Sequence, residues 1–315
     1  MSQIQSILKS VNKQKPKIFT VFTTYAHLRM LKDFEVYYLI NRGIAEPKIQ
    51  DFTTNAIAVN GHQGLEFDLC FSFSGGLAGR VLKDIAKEVR VDYVTYELNY
   101  PNDLSSDIRY ITENKDNFSP SLKFSEAIGA NPNLLIPYVT SEFKPKVPIL
   151  NRPIQACTHG EFLIEKEQET NFSDWRHIVN TLPSQIFGCN PRMGTHIPTI
   201  TEFADILSNT RVYINTRTAG FYPMEILQAI SCGCAVISYP YPGIEDFVPP
   251  EFVVKNKEEC RAALSKLLAN DSLLSFVSQY NAKQATMFNN DNHVTRCINR
   301  IWEDISESGY KHYGI

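Results

Sequence analysis

Charge of one sign, closely spaced cysteine pairs and long apolar runs are all scarce in this chain. Its 315 residues carry 31 Lys and Arg against 34 Asp and Glu, a formal net charge of −3. That balance excludes a global attraction to nucleic acid or to an acidic membrane surface and leaves room only for a local basic groove. No run of about 18 apolar residues occurs. The opening stretch MSQIQSILKSVNKQKPK has neither a long apolar core nor a cleavage-like site. The expectation is a cytoplasmic protein with no membrane insertion. The seven cysteines are odd in number and scattered, and most stand inside apolar runs, where Cys behaves as a small hydrophobe. A reducing compartment fits that usage. Cys232-Gly-Cys234 is the one close pair, and it lacks the intervening residues that zinc sites and redox motifs use. Internal repeats and low-complexity tracts are missing too.

What the chain does have is enough apolar material for two cores, with 43% hydrophobic residues over a length that suits two domains of ordinary size. Short β-type runs alternate with helical patterns, the signature of parallel α/β architecture. Strands are expected at 17–22, 67–73, 91–96, 109–112 and 134–137, with helices from about Leu28 and over 80–89. Ser74-Gly-Gly-Leu-Ala-Gly79 reads as the turn into the second of these helices. The segment 141–148, with Pro145 and Pro148, reads as a linker. Beyond it the alternation restarts, with strands at 153–157, 185–187 and 212–214, a helix at 200–207 and a largely helical tail from Glu258 to about Glu307.

Residues 215–248 pack loop, helix, strand and loop into one unbroken run. Pro223 stands where a first helical turn tolerates it, and Ile226, Leu227 and Ile230 follow at helical spacing. Cys232-Gly233 ends that helix, and Ala235-Val-Ile-Ser238 is a short buried strand. The loop Thr216-Arg-Thr-Ala-Gly-Phe-Tyr222 therefore delivers its residues to a helix N-terminus. Free backbone N–H groups, the helix dipole and Arg217 make that end a ready anion site.

This segment resembles the nucleotide-sugar site of glycosyltransferases with the two-domain GT-B fold, in particular the large retaining family four. Asn215-Thr216-Arg217, Gly220-Phe221, Pro223, the run Gln228 to Gly233, Ala235-Val236-Ile237 and Gly243-Ile244-Glu245-Asp246 carry the likeness. Gln185-Ile-Phe-Gly188-Cys-Asn190 resembles the strand and glycine turn beneath the diphosphate, and the stretch from Phe288 to Ile305 resembles a helix that crosses back to the first domain. The resemblance implies an α/β fold of two Rossmann-like domains facing a cleft. An acceptor-binding domain would occupy 1–143, a nucleotide-sugar domain 144–290 and the returning helix 291–315. It implies a nucleoside-diphosphate sugar as donor substrate, no cofactor, and retention of anomeric configuration without a protein nucleophile.

The resemblance places the donor on Gly188, Asn190, Thr216, Arg217, Gly220, Phe221, Tyr222, Pro223, Met224 and Gln228, with Glu245 against the donor sugar. Each has a plainer reading: a tight turn before a buried helix, a surface charge for Arg217, or a capping role for Glu245 and Asp246. The family's pair of glutamates departs here, the first falling on Ala219 or Gly220 and the second on Gln228. Gln228 can hydrogen-bond a ribose as donor and acceptor, and Glu225, one turn earlier, is the candidate substitute for the first. His159 follows the first strand of the second domain, where relatives bring Arg or Lys to the diphosphate. An Asp-x-Asp metal motif is absent, which favours helix dipole and basic side chains over a bound metal.

In the first domain Tyr25 and His27 follow the first strand, where open α/β sheets place ligand loops. His27 binds the acceptor, activates it, or is a satisfied helix-start histidine. Gly75 and Gly76 mark a turn that can approach a sugar or phosphate, which is weak evidence alone. Glu97 stands where relatives often carry a catalytically placed His. The compact length and the Tyr110-Ile-Thr112-Glu113 segment resemble small phage-encoded glycosyltransferases, some of which decorate hydroxymethylated pyrimidines in double-stranded DNA. That acceptor would call for clustered Lys and Arg. A cell-envelope glycan or small-molecule acceptor is the competing enzyme reading, and a non-catalytic sugar-nucleotide binder is the third.

Overall fold

The computed structural model describes residues 15–21, 31–39, 56–72, 77–96, 99–100, 117–119, 123, 126–127, 133–134, 139–159, 171–180, 182–187, 200–221, 223–287, 295, 298–299 and 302–303. They belong to two compact units, one formed by residues 1–96 with 294–315 and the other by 97–293.

The first unit is built on parallel strands β1 (Ile18–Val21), β2 (Val36–Leu39), β3 (Ala56–Val59), β4 (Leu69–Ser72) and β5 (Asp92–Tyr96), in the order β3-β2-β1-β4-β5. Every residue of β4 is buried, so it reads as an apolar run without alternation, as a central parallel strand should. Helix α1 (Leu77–Val89) follows β4. Its start at Leu77 corrects the expected turn, because Leu77, Ala78 and Gly79 already lie within the helix. Thr295, in the returning segment, donates a hydrogen bond to the Asp33 carboxylate of this unit.

In the second unit β6 (Asn99–Tyr100), β7 (Asn117–Ser119) and β8 (Asn133–Leu134) are short, β7 and β8 forming a parallel pair. A parallel sheet follows, made of β9 (Ile154–His159), β10 (Ser184–Phe187), β11 (Thr210–Asn215) and β13 (Ala235–Ser238) in the order β10-β9-β11-β13. A two-residue strand β12 (Gly220–Phe221) stands outside it. Of helices α2 (Phe172–Val179), α3 (Ile200–Ser208), α4 (Met224–Ser231), α5 (Lys257–Leu268) and α6 (Asp271–Gln284), the last four pack on the sheet and α2 packs on α5. Asn256 and Asn270 cap α5 and α6, each accepting at 2.9 Å from a backbone N–H three residues on.

The segment read as a linker is tied to the second unit. Phe143 is buried and meets Phe203 edge-to-face, with ring centroids 5.3 Å apart, while the Ser208 hydroxyl donates to the Lys144 carbonyl at 3.0 Å. Its prolines shape the backbone, but one buried aromatic holds it down. The expected strand at 109–112 and the helix from Leu28 lie outside the described residues.

Candidate functional site

In the second sheet the chain steps outward from β9 to β10, then returns to place β11 on the other side of β9. The order reverses between β9 and β11, and ligands of open α/β sheets settle in the crevice beyond the C-terminal ends of such a strand pair. His159 ends β9 and Asn215 ends β11. Between Asn215 and α4 runs the loop singled out from the sequence.

That loop is held from several sides. The buried Asn215 amide donates to the Ser238 hydroxyl at 2.9 Å and to the Arg217 carbonyl at 3.2 Å, closing a tight turn at the strand end. Asn171, at φ 47° just before α2, donates to the Thr216 carbonyl at 3.0 Å and to the Thr218 hydroxyl at 3.4 Å. Asn tolerates that left-handed backbone better than most side chains. β12 pairs antiparallel with β6, Gly220 opposite Tyr100 and Phe221 opposite Asn99. The loop is thus shaped by backbone bonds and amide clamps before α4 begins.

Helix α4 starts after Pro223 with no side-chain hydrogen bond capping it. Its apolar residues Ile226, Leu227 and Ile230 are fully buried, as their spacing requires. Glu225 sits in its first turn, 16% exposed, with Oε1 3.1 Å from Nδ1 of His159, itself 11% exposed. Burial opposes the charge on Glu225, yet the nearby Arg217 guanidinium and His159 outweigh it and hold the carboxyl down to about 2. Burial, reinforced by the Glu225 charge, pushes the Tyr213 hydroxyl well above its usual range. The His159 ring also stacks on Phe203 with centroids 6.0 Å apart. Glu225, Arg217, His159 and Tyr213 therefore form one charge cluster at the N-terminal end of α4.

Of the residues predicted from the sequence, Thr216, Pro223, Met224 and Gln228 are buried and Arg217 is half-buried. Glu245 and Asp246 are exposed in a short 3-10 turn after Gly243, whose φ of 84° suits glycine, and Asp246 lies 3.8 Å from Lys123. Tyr25, His27, Gly75, Gly76, Glu97, Gly188, Asn190 and Tyr222 lie outside the described residues. Asn171 and Tyr213 escaped the sequence reading. An Asn immediately before a helical pattern was the available signal for the first, and nothing distinguished the second from a core tyrosine.

The far end of α4 is anchored by a buried cation. Arg152, 1% exposed, donates to the carbonyls of Val147 (2.9 Å), Thr210 (2.8 Å) and Cys232 (2.8 Å). It sits where the helix dipole is negative, so carbonyls and dipole share the stabilisation of its charge. Cys157, Cys232, Cys234 and Cys260 are buried, and burial raises each thiol, Cys232 to about 11, so they pack as hydrophobes. Among the described residues no group of three or more potential metal-ligating side chains is found, and no helix is long and apolar enough to cross a membrane.

Residues 151–297 match a family model described as glycosyl transferase-like. These residues contain the whole second sheet and all of its helices. Among solved structures, a sucrose-phosphate synthase from Thermosynechococcus elongatus is similar, at 11% identity and a TM-score of 0.70 over 94% of this chain and 100% of that one. Anabaena HepE, solved in complex with UDP-glucose, matches at 11% identity and TM-score 0.66 over 92% and 100% of the two chains. The family model covers a little under half of the chain, and the likeness to these solved structures is one of fold. The α/β architecture fits two Rossmann-like domains of the GT-B type. A UDP-N-acetylglucosamine 2-epimerase is also similar, at 12% identity and TM-score 0.55 over 94% and 98% of the chains. The fold by itself therefore hosts more than one chemistry on nucleotide sugars. No curated protein matches the sequence.

Proposed function

We propose that this protein transfers a sugar from a nucleoside diphosphate to a hydroxyl acceptor, with the diphosphate bound at the N-terminal end of α4. The observation carrying this reading is the arrangement at that end: an uncapped helix start at the strand-order reversal, with Arg217 beside it. The helix dipole and a guanidinium suit a developing diphosphate charge as the glycosidic bond breaks. In this proposal Gly188, Asn190, Gly220, Phe221, Tyr222 and Pro223 line the donor, and Gln228 reaches the ribose. Glu245 contacts the donor sugar, while Tyr25, His27, Gly75, Gly76 and Glu97 serve the acceptor.

Glu225, held at about 2, is a poor proton acceptor at neutral pH. Its proposed part is to orient Arg217 and His159. Retention of configuration and the boundaries 1–143, 144–290 and 291–315 rest on the sequence resemblance. So does a hydroxymethylated pyrimidine of double-stranded DNA as acceptor. The DNA reading gains nothing from α1, where Arg80, Lys83 and Lys87 alternate with Asp84 and Glu88.

The test is incubation of the protein with a panel of nucleotide sugars and a duplex containing hydroxymethylated cytosine or uracil, followed by intact mass of the DNA. A sugar-sized gain fixes donor and acceptor class together. Release of nucleoside diphosphate without a gain keeps the transferase and moves the acceptor to glycans or small molecules. Binding with no release from any donor contradicts an enzyme.

A further inference from the structure

The first unit contains a concavity on the edge of its sheet opposite the C-terminal ends of the strands. Lys17 precedes β1, Asp68 precedes β4 and Val91 precedes β5, and these residues line the cavity together with Glu66, Val89 and Trp302. Its volume is about 760 Å³, in the range of small-molecule sites. Strand order directs nucleotides to the other edge, so this cavity is distinct from the sheet's own crevice.

Its chemistry selects a ligand type. The Lys17 ammonium is engaged by Glu35 at 3.3 Å, and the Lys17 backbone N–H donates to Asp68 Oδ2 at 2.9 Å. Glu66 and Asp68 are exposed, and a carboxylate offers about four acceptor positions, of which this contact uses one on Asp68. Among the described lining residues, one ammonium stands with two carboxylates, Glu66 and Asp68, and is itself paired with Glu35. The excess negative charge repels phosphates and nucleotides. What remains suitable is a neutral molecule with many hydroxyl donors and an apolar face. Hydroxyls bond strongly to ionised carboxylates, and C–H-bearing faces pack on the negative face of an indole.

We propose that this groove binds a neutral saccharide, with Trp302 as the stacking platform and Glu66 and Asp68 accepting from its hydroxyls. The site is independent of the donor site proposed on the second unit.

The test is a titration of the full chain with maltotetraose, cellotetraose and chitotetraose, with hyaluronan tetrasaccharide as the anionic control. The two tryptophans are Trp175 and Trp302, and Trp175 is 3% exposed in the second unit, so a Trp175→Phe background isolates Trp302 fluorescence. At least one neutral sugar should give a saturable change that persists in saturating UDP. Ligand-observed NMR should show that binding weakened more than tenfold in Trp302→Ala and severalfold in Glu66→Gln, an exposed position that guards against misfolding. Failure of all three neutral sugars to bind, equal binding by both variants, displacement by UDP, or preference for hyaluronan would each overturn the assignment.

Discussion

At its C-terminal end α4 is fastened by Arg152, by the Ser278 hydroxyl donating to the Gly233 carbonyl at 2.7 Å, and by the Asn281 amide donating to the Cys234 carbonyl at 2.6 Å. At its N-terminal end the same helix starts without a side-chain cap and faces His159, Arg217 and Glu225. One end and the turn after it have carbonyls satisfied by side-chain donors from two other segments, Arg152 and helix α6. The other keeps a charge cluster at the strand-order reversal. With the far end fastened, the position of α4 does not depend on what binds at its near end.

Breaking the fastened end should have the largest effect. Arg152→Met strands two buried carbonyls and a half-buried one and is expected to cost about 3–5 kcal/mol, read as a fall in the urea midpoint. Arg152→Lys should recover only part of it, since one ammonium cannot span the carbonyls that the planar guanidinium reaches.

The charged end should show itself through pH. Glu225 has a folded value of about 2 against an ordinary 4.5. A depressed carboxyl contributes stability that is complete above about pH 4.5 and is lost as pH falls towards 2. The contribution should be on the order of 2–3 kcal/mol at neutral pH. Glu225→Gln should flatten the acid limb of a stability–pH curve over that window; an unchanged limb would remove the cluster from the account.

Gly233 sharpens the comparison on a smaller scale. Its φ is 71°, and an added Cβ would stand 3.2 Å from the Ser278 hydroxyl and 3.4 Å from Pro145 Cγ. Gly233→Ala should cost about 1–2 kcal/mol by thermal unfolding, with nucleotide affinity unaltered. The smallest effect belongs to the exposed Lys146–Asp205 pair, where Lys146→Ala should change stability by less than about 0.5 kcal/mol.

The site was most legible in the sequence where local signals agreed. Pro223, the apolar spacing of α4 and the glycine at 233 all marked the same helix, and the structure places it at Met224–Ser231. The core strands β1, β4, β5, β9, β10, β11 and β13 were readable as short apolar runs. β2 and β3 were missed: four residues each, they carry too little pattern to stand out from surrounding loop. The two-residue β12 depends on a partner strand more than a hundred residues earlier, which no local window contains. Arg152 was invisible for a related reason. Its acceptors come from positions 147, 210 and 232, and an Arg beside prolines reads as surface until the fold closes around it.

Nucleotide affinity of the α4 start tests the account most directly. Calorimetric titration of UDP, GDP, ADP and TDP into the wild type and Arg217→Ala should find at least one nucleotide that binds. Its dissociation constant should rise tenfold or more in the variant, as loss of a charge-assisted phosphate contact predicts. The affinities are measured where both proteins are fully folded, because loss of Arg217 from beside Glu225 also lowers the urea midpoint. Equal affinity in the two proteins, or no binding by any of the four nucleotides, would contradict a diphosphate site at the N-terminal end of α4.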